Sequence, residues 1–258
     1  MPQPSLAVFD EQIRRSVRPS APGTRAEWDA GILRYVNPDS DGECTVIWSE
    51  LDAATVDGAI AAQVAYFARL GRSFEWKYHR HDRPSDLPER LVAAGFEAGE
   101  PESVMVANAA DIAIDIVWPE GIRIETIADA AGIARMVALH DQVFGHSRPD
   151  FAEDLLAQLT GSPGSMVPFL VLDGDLPVCS ARIEFHQGTE FASLWGGGTL
   201  ESHRGRGIYR ALVAHRARLA LDRGTRYLHV DAMPDSRPIL ERLGFLELTT
   251  TTPYIKAI

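Results

Sequence analysis

The chain has 258 residues, with 36 acidic and 25 basic side chains and a formal net charge of −11 at pH 7. Its 45% hydrophobic and 24% charged residues are typical of a globular protein and exclude disordered, collagen-like and coiled-coil chains. The acidic balance argues against a general binder of nucleic acid or anionic membranes, because phosphate groups are bound by clustered Lys and Arg.

Two cysteines, Cys44 and Cys179, lie far apart in the sequence and form neither a metal-binding nor a redox motif. No apolar run approaches the ~20 residues of a membrane-spanning helix. The first residues lack the basic start and apolar core of a secretory signal. We therefore expect a cytoplasmic protein with no membrane segment and no metal site, of undetermined oligomeric state.

The elements predicted for the first half begin with a helix over residues 5–18, in which Leu6, Phe9 and Ile13 share one face. Strands and helices then alternate. In chain order they are strands over 30–37 and 44–48, a helix from its cap Thr55 to Gly71, a strand over 73–79, a short helix over 87–94 before Gly95-Phe96, and a strand over 103–107.

The second half repeats this alternation and contains a hairpin signal at Asp173-Gly174-Asp175. In chain order its elements are a strand over 122–127, helices over 130–143 and 151–159, strands over 169–172, 177–185 and 191–200, a helix over 208–223, a strand over 226–231, a short helix over 235–243 before Gly244-Phe245, and a strand over 247–256.

The same succession of strand, long helix, strand, short helix, Gly-Phe and strand thus occurs over 44–107 and 191–256. It indicates an internal repeat, although many α/β proteins have a similar order of elements. Turn residues at 118–121 place the boundary between two domains, 1–118 and 119–258.

The sharpest motif joins a predicted strand to a predicted helix. Its residues are Arg204, Gly205, Arg206, Gly207, Ile208, Tyr209 and Arg210. Glycines let a backbone approach a ligand closely, and the first N–H groups of a helix favour an anion. The motif therefore favours a pyrophosphate site over a Gly-rich turn with solvated arginines. Neither the P-loop pattern nor the dinucleotide GxGxxG pattern fits, since position 210 is Arg.

The stretch from about 191 to 256 resembles the GNAT superfamily of acyl-CoA-dependent N-acetyltransferases. The family signature is Gln or Arg, two residues, Gly, one residue, then Gly or Ala; Arg204, Gly207 and Tyr209 stand at these places, and the Tyr departs from the pattern. The segment Leu240–Phe245 resembles the family's short helix that ends in Gly-Phe. The N-terminal half resembles only the later part of such a domain and lacks the loop, as a degenerate copy would.

The resemblance implies an α/β fold of tandem GNAT-like units, each a mixed, mostly antiparallel sheet flanked by helices. It implies acetyl-CoA as co-substrate, with its pyrophosphate on the 204–210 loop. Gly197, Gly198 and Thr199 match the strand segment whose backbone pairs with the pantetheine arm. Glycines within a strand mark a bulge or a close backbone approach, and a plain bulge is the alternative here.

Amide formation from a thioester needs a base for the amine and an acid for the departing thiolate, unless CoA leaves as the anion. In many relatives the acid is a Tyr in the short helix, and Leu240 stands at that place in this chain. Tyr254 and Ser236 are the candidates to replace it.

His229 falls on the strand where some relatives carry an acidic base. An imidazole, with an ordinary pKa near 6.5, suits that role, although a packing role is the alternative. Glu184, His186 and Asp231 are the other candidates.

The resemblance implies transfer of an acetyl group from acetyl-CoA to a primary amine of a small molecule or peptide, by direct attack in a ternary complex. Residues 119–258 would carry this activity, and 1–118 would brace the sheet. Because Leu240 replaces the usual acid, the competing interpretation is a non-catalytic acyl-CoA-binding or regulatory module.

Overall fold

The structure is a computed structural model that describes residues 3–16, 19, 23–38, 43–112, 117–145 and 150–258. It divides into two compact units. The N-terminal unit comprises Ser5–Met105, Asp231–Arg237 and Glu247–Ile258; the C-terminal unit comprises chiefly Val106–Val230 and Pro238–Leu246.

Each unit is built from several separate segments of the chain, so no single boundary in the sequence divides them. Residues 106–118 belong to the C-terminal unit, whereas 231–237 and 247–258 belong to the N-terminal one. The boundary near residue 118 stays a prediction about the sequence repeat.

Both units alternate strands and helices. Within the described ranges the strands are β1 (Arg25–Asp29), β2 (Ile32–Val36), β3 (Thr45–Ser49), β4 (Phe74–His79), β5 (Glu97–Ala98), β6 (Glu102–Asn108), β7 (Ile122–Thr126), β8 (Met166–Asp173), β9 (Leu176–Phe185), β10 (Phe191–Thr199), β11 (Tyr227–Ala232) and β12 (Leu246–Lys256). The α-helices are α1 (Leu6–Phe9), α2 (Val56–Leu70), α3 (Leu87–Ala93), α4 (Ala109–Ile112), α5 (Ala130–Phe144), α6 (Phe151–Gly161), α7 (Ile208–Asp222) and α8 (Arg237–Arg242). None of the helices in the described ranges has the length and apolar content needed to cross a membrane.

In the N-terminal unit the strand order is β1-β2-β3-β4-β12, and β5 pairs with β12. Strands β3 and β4 are parallel, while β12 runs antiparallel to β4. Helix α2 buries Val56, Ile60 and Phe67, which recur along one helical face, and it ends at Gly71 in the left-handed conformation. The ring of Phe67 stacks on Phe74 of β4 at 4.2 Å between centroids, in the core of this unit.

In the C-terminal unit the strand order is β7-β8-β9-β10-β11. All neighbours are antiparallel except β10 and β11, which are parallel. The predicted hairpin is confirmed, since Asp173 pairs with Leu176 across a turn at Gly174, where φ is +59°. Together the two units confirm the predicted fold class of mixed, mostly antiparallel sheets flanked by helices.

Two N-terminal segments differ from their sequence prediction. The strand predicted over 30–37 is confirmed over Ile32–Val36, as β2, but its first two residues are not part of it. Ala30 and Gly31 both have positive φ, 47° and 82°, and form the turn between β1 and β2. The helix predicted over 5–18 is α only over Leu6–Phe9, and a π-helical turn follows over Asp10–Arg15. Its residues 17 and 18 lie outside the described residues.

Candidate functional site

The 204–210 loop joins a 3-10 turn, Glu201–His203, to helix α7. Gly205 and Gly207 have φ of 75° and 83°, a region that side chains rarely adopt. A Cβ at either position would meet no other part of the described chain within 4 Å. The first helical bond runs from the Ala211 N–H to the Gly207 carbonyl at 3.0 Å. The backbone N–H groups before Ala211 in the first turn of α7 therefore have no acceptor within the helix, and the space around Gly205 and Gly207 is open.

Two of the three arginines of this loop are bound to the protein itself. The Arg206 guanidinium lies 2.7 Å from a carboxylate oxygen of Asp173, and its hydrogen bond lowers the pKa of that carboxyl. The Nε of Arg204 donates to the Thr199 carbonyl at 3.2 Å. Arg210 is exposed in the first turn of α7. The first two shape the loop, and the third supplies charge at the surface.

An open pocket of about 530 Å³ lies beside the loop. Its lining residues come from the end of α5, the end of β10 and the loop: Gln142, Val143, Leu200, Glu201, Ser202 and Arg204. Its volume lies in the range of small-molecule sites. Its charged lining residues are Arg204, at the start of the loop, and Glu201.

Strand β10 changes partners along its length. Its parallel ladder with β11 ends at the pair Ser193 and His229, although β10 continues to Thr199. A bulge between Trp195 and Gly198 also shifts its register with β9, and Gly196 has φ of 60°. Because backbone N–H and C=O groups require partners, the part of β10 beyond Ser193 is suited to pair with an extended ligand.

Gly197 and Gly198 are required by the protein's own packing. A Cβ on Gly197 would lie 2.8 Å from the ring of Tyr209, and one on Gly198 would lie 2.8 Å from Val143 of α5. Tyr209 therefore occupies the space that Gly197 leaves. Burial raises the pKa of the Tyr209 phenol.

His229 lies in a chain of three polar side chains, of which Ser193 and His229 are buried and His186 is half-buried. The Ser193 hydroxyl is 3.0 Å from Nδ1 of His229 and 2.6 Å from Nε2 of His186. Ser193 is 1% exposed and His229 is 4% exposed. Burial lowers the pKa of His186 to about 4, so this imidazole is neutral at physiological pH. The Trp195 ring stands perpendicular to His229 at 6.4 Å between centroids.

Glu184 lies on the same sheet face as this chain, because it pairs with Ser193 across β9 and β10. Its carboxylate accepts a hydrogen bond from Nε of Arg182 at 2.7 Å. The Arg182 guanidinium also lies near the rings of Phe151 and Trp195, at 5.7 and 5.8 Å from their centroids. Glu184 is thus the partner of a cation within the site.

The remaining candidates have other contacts. Tyr254 and Asp231 belong to the N-terminal unit. The Tyr254 ring packs 6.1 Å from Tyr78, and the Asp231 carboxylate lies 2.7 Å from Nζ of Lys77. The Ser236 hydroxyl donates to the Met233 carbonyl within a turn. Their catalytic roles stay predictions.

Ser193 and Arg182 were missed by the sequence analysis. Ser193 stands between Phe191 and Trp195 in an alternating strand, so it points to the same face as two aromatic residues. A polar residue at a buried strand position needs a hydrogen-bond partner, and that was the available signal.

The sequence of this part of the chain is similar to a known protein family. Residues 133–245 match the model of the acetyltransferase (GNAT) family. None of the curated proteins matches this sequence.

Three solved structures share the fold over nearly the whole chain. A GCN5-related N-acetyltransferase from Kribbella flavida is 17% identical, with a TM-score of 0.72, over 97% of this chain and 93% of that one. A conserved protein of Staphylococcus epidermidis is 13% identical, with a TM-score of 0.69, over 96% and 97%. A tandem GNAT protein of the clavulanic acid biosynthesis pathway is 12% identical, with a TM-score of 0.66, over 97% and 92%. Residues 133–245 therefore match the GNAT acetyltransferase family, and the chain has a fold similar to that of the tandem GNAT protein.

Proposed function

We propose that this protein is a cytoplasmic N-acetyltransferase that moves an acetyl group from acetyl-CoA to a primary amine of a small molecule or peptide. The observation that carries the proposal is the loop of Gly205 and Gly207, whose open backbone leads into the first turn of α7 within the segment that matches the GNAT family. Helix N-termini bind phosphate through their unpaired N–H groups and the helix dipole.

The loop at 204–210 would hold the pyrophosphate of acetyl-CoA. The backbone of Gly197, Gly198 and Thr199 would pair with the pantetheine amides, since β10 has already left β11 at this point. This pairing would direct the thioester toward Ser193 and His229, where the ladder ends.

His229 would then act as the base. The amine nitrogen attacks the thioester carbonyl carbon, its proton passes to the imidazole, and the carbon–sulfur bond breaks to release the CoA thiolate. Trp195 and Arg182 would form the walls against which the acceptor is positioned, because both lie on the His229 face of the sheet.

Replacing Gly207 by Val should weaken acetyl-CoA binding roughly tenfold or more, because a branched side chain blocks the approach of a pyrophosphate to the loop. Calorimetry with acetyl-CoA measures this. Gly224→Val is the matched control: Gly224 also has positive φ and open space around it, and it follows the other end of α7. Equal affinities of the two variants would place the cofactor elsewhere.

A covalent acetyl-cysteine route is disfavoured by the chemistry of Cys179. Burial raises the pKa of this thiol to about 11, and it accepts a hydrogen bond from Thr199 at 3.2 Å. The thiolate fraction at pH 7 is then on the order of 10⁻⁴. We expect intact-mass spectrometry after incubation with acetyl-CoA alone to find no acetyl adduct, and Cys179→Ala to retain turnover within a few-fold. An adduct that Cys179→Ala removes would contradict direct transfer.

A non-catalytic acyl-CoA-binding module is the second candidate, favoured by Leu240. This side chain is fully buried and stands where many GNAT enzymes carry a Tyr acid. Release of free CoA in the presence of a panel of primary amines separates the two functions. Binding of acetyl-CoA without amine-dependent release across the panel would favour the module.

A further inference from the structure

The guanidinium of Arg182 is hydrogen-bonded on one edge only. Its Nε donates to the Glu184 carboxylate at 2.7 Å, and this is the one hydrogen bond that its side chain makes to the described residues. A guanidinium carries five N–H donors, so the four on Nη1 and Nη2 have no acceptor in this part of the chain. The Arg182 side chain is only 15% exposed. Two terminal nitrogens of a largely buried cation are therefore available to a ligand.

These nitrogens lie beside the bulge of β10, on the face of the sheet that carries His229. Arg182 pairs with Trp195 across β9 and β10. Trp195 follows two residues after Ser193, which pairs with His229 of β11, and strand residues two apart share a face. A Cβ on Gly196 would lie 3.3 Å from Nη1 of Arg182, so the missing side chain leaves room at this nitrogen.

Two aromatic rings border the guanidinium. Its central carbon lies 5.7 Å from the ring centroid of Phe151, on α6, and 5.8 Å from that of Trp195. Aromatic faces stabilise a cation, and the rings occupy space that water would otherwise fill. Because charges interact more strongly where water is excluded, an ion pair formed here is stronger than one on an open surface. The Glu184 carboxylate holds the guanidinium through Nε, so less rotamer entropy is lost when an anion binds.

The planar end of a guanidinium matches a carboxylate, which it binds through two parallel hydrogen bonds. We propose that Arg182 binds a carboxylate of the acceptor, so that the acceptor is an amino acid, with its amine and its carboxylate on one small molecule. This inference rests on the proposed transferase function, in which the phosphates of acetyl-CoA occupy the 204–210 loop and the acceptor amine meets His229.

The test compares acceptors that differ only in the carboxylate. Turnover of acetyl-CoA is measured with α-amino acids and short ω-amino acids, each beside its carboxamide, which keeps the amine and removes the negative charge. Wild type should prefer the free acid. Arg182→Met should lower kcat/KM for the acid by on the order of 10–10²-fold, the contribution of hydrogen bonds to a charged group, and leave that for the carboxamide within a few-fold. A merely structural role of Arg182 would lower both rates alike.

Three variants complete the test. Arg182→Lys keeps the charge without the planar end and should retain part of the preference for the acid. Arg182→Met combined with Glu184→Gln leaves no unpaired carboxylate, and it should lose the preference even if the single variant folds poorly. Arg223→Met is the matched control, because the Arg223 guanidinium also lies over an aromatic ring, that of Phe185 at 4.3 Å, and donates to the Gly164 carbonyl. It should keep the wild-type preference.

Calorimetry with the same amino acids in the presence of CoA gives a readout that needs no turnover. Binding of the acid that is lost in Arg182→Met, with no acetylation of any panel member, would uphold the carboxylate site and overturn the transferase function. Equal use of acid and carboxamide by wild type would overturn the inference and leave the transferase function standing. A preference that survives in Arg182→Met, or an absence of both binding and turnover across the panel, would overturn the inference as well.

Discussion

Replacing His229 by glutamine is expected to lower kcat/KM about 10²-fold, the low end of a general-base contribution. Glutamine has a similar size and keeps hydrogen-bonding groups near Ser193, but it cannot accept the amine proton. Acetyl-CoA affinity should stay unchanged, because His229 lies at the ladder end and not in the 204–210 loop. The fall in rate is measured with an acceptor identified from an amine panel.

The pH profile tests the same role independently. A base must be unprotonated to act, so the wild-type kcat/KM should fall at low pH, and this limb should disappear in His229→Gln. His215→Gln is the control, because His215 is a histidine of α7 that packs against Phe169, outside the chain of Ser193. If His229→Gln stays within a few-fold of wild type, solvent takes the proton and the protein works by positioning.

Replacing Arg14 by methionine is expected to destabilise the protein by about 3–5 kcal/mol, the cost of leaving one partner of a buried ion pair alone. Arg14 is 1% exposed and donates two hydrogen bonds to Asp82, at 2.8 and 2.9 Å. Asp82 also accepts from the backbone N–H of His79, so its carboxylate cannot turn to solvent without losing that bond. Urea unfolding of Arg14→Met and Arg15→Met, each compared with wild type, measures the loss in free energy of unfolding.

Arg15→Met is the matched control from the adjacent position. Arg15 pairs with Glu11 at 3.1 Å, but both side chains are exposed, so its loss should cost about 0–1 kcal/mol. The double variant Arg14→Met with Asp82→Asn should recover part of the lost stability, because it removes the buried charge. Equal destabilisation by Arg14→Met and Arg15→Met would show that the buried pair adds nothing.

The parts of the fold that follow from local chemistry could be predicted. The turn at Gly174, the helix end at Gly71 and the start of α7 after Gly207 each depend on a glycine that adopts positive φ beside a periodic apolar pattern. Glycines at the start of a predicted helix likewise allowed the 204–210 loop to be predicted from the sequence. The turn at Ala30 could not be predicted in this way, because alanine rarely adopts positive φ.

The contacts made between distant strands could not be predicted. Arg14 is buried because it pairs with Asp82. Asp82 is distant in the sequence, so the periodicity of the helix that contains Arg14 does not reveal this pair. The position of Ser193 between His186 and His229 follows from the registers of β9, β10 and β11, and a register is set by tertiary pairing. His229 could be predicted because the family resemblance points to its strand, whereas the resemblance does not point to Ser193, whose hydroxyl is its partner.

The membership of β12 in the N-terminal unit has a consequence for biosynthesis. Strand β4 pairs with β12 from His79 opposite Thr251 to Phe74 opposite Lys256. When the ribosome has made β4, its partner is still untranslated, so the edge of β4 must wait for the whole C-terminal unit to emerge. The N-terminal unit therefore cannot complete its sheet while the chain is still being translated. During translation the aromatic strand Phe74–His79 has an unpaired edge, and chaperones that shield such edges are expected to bind it.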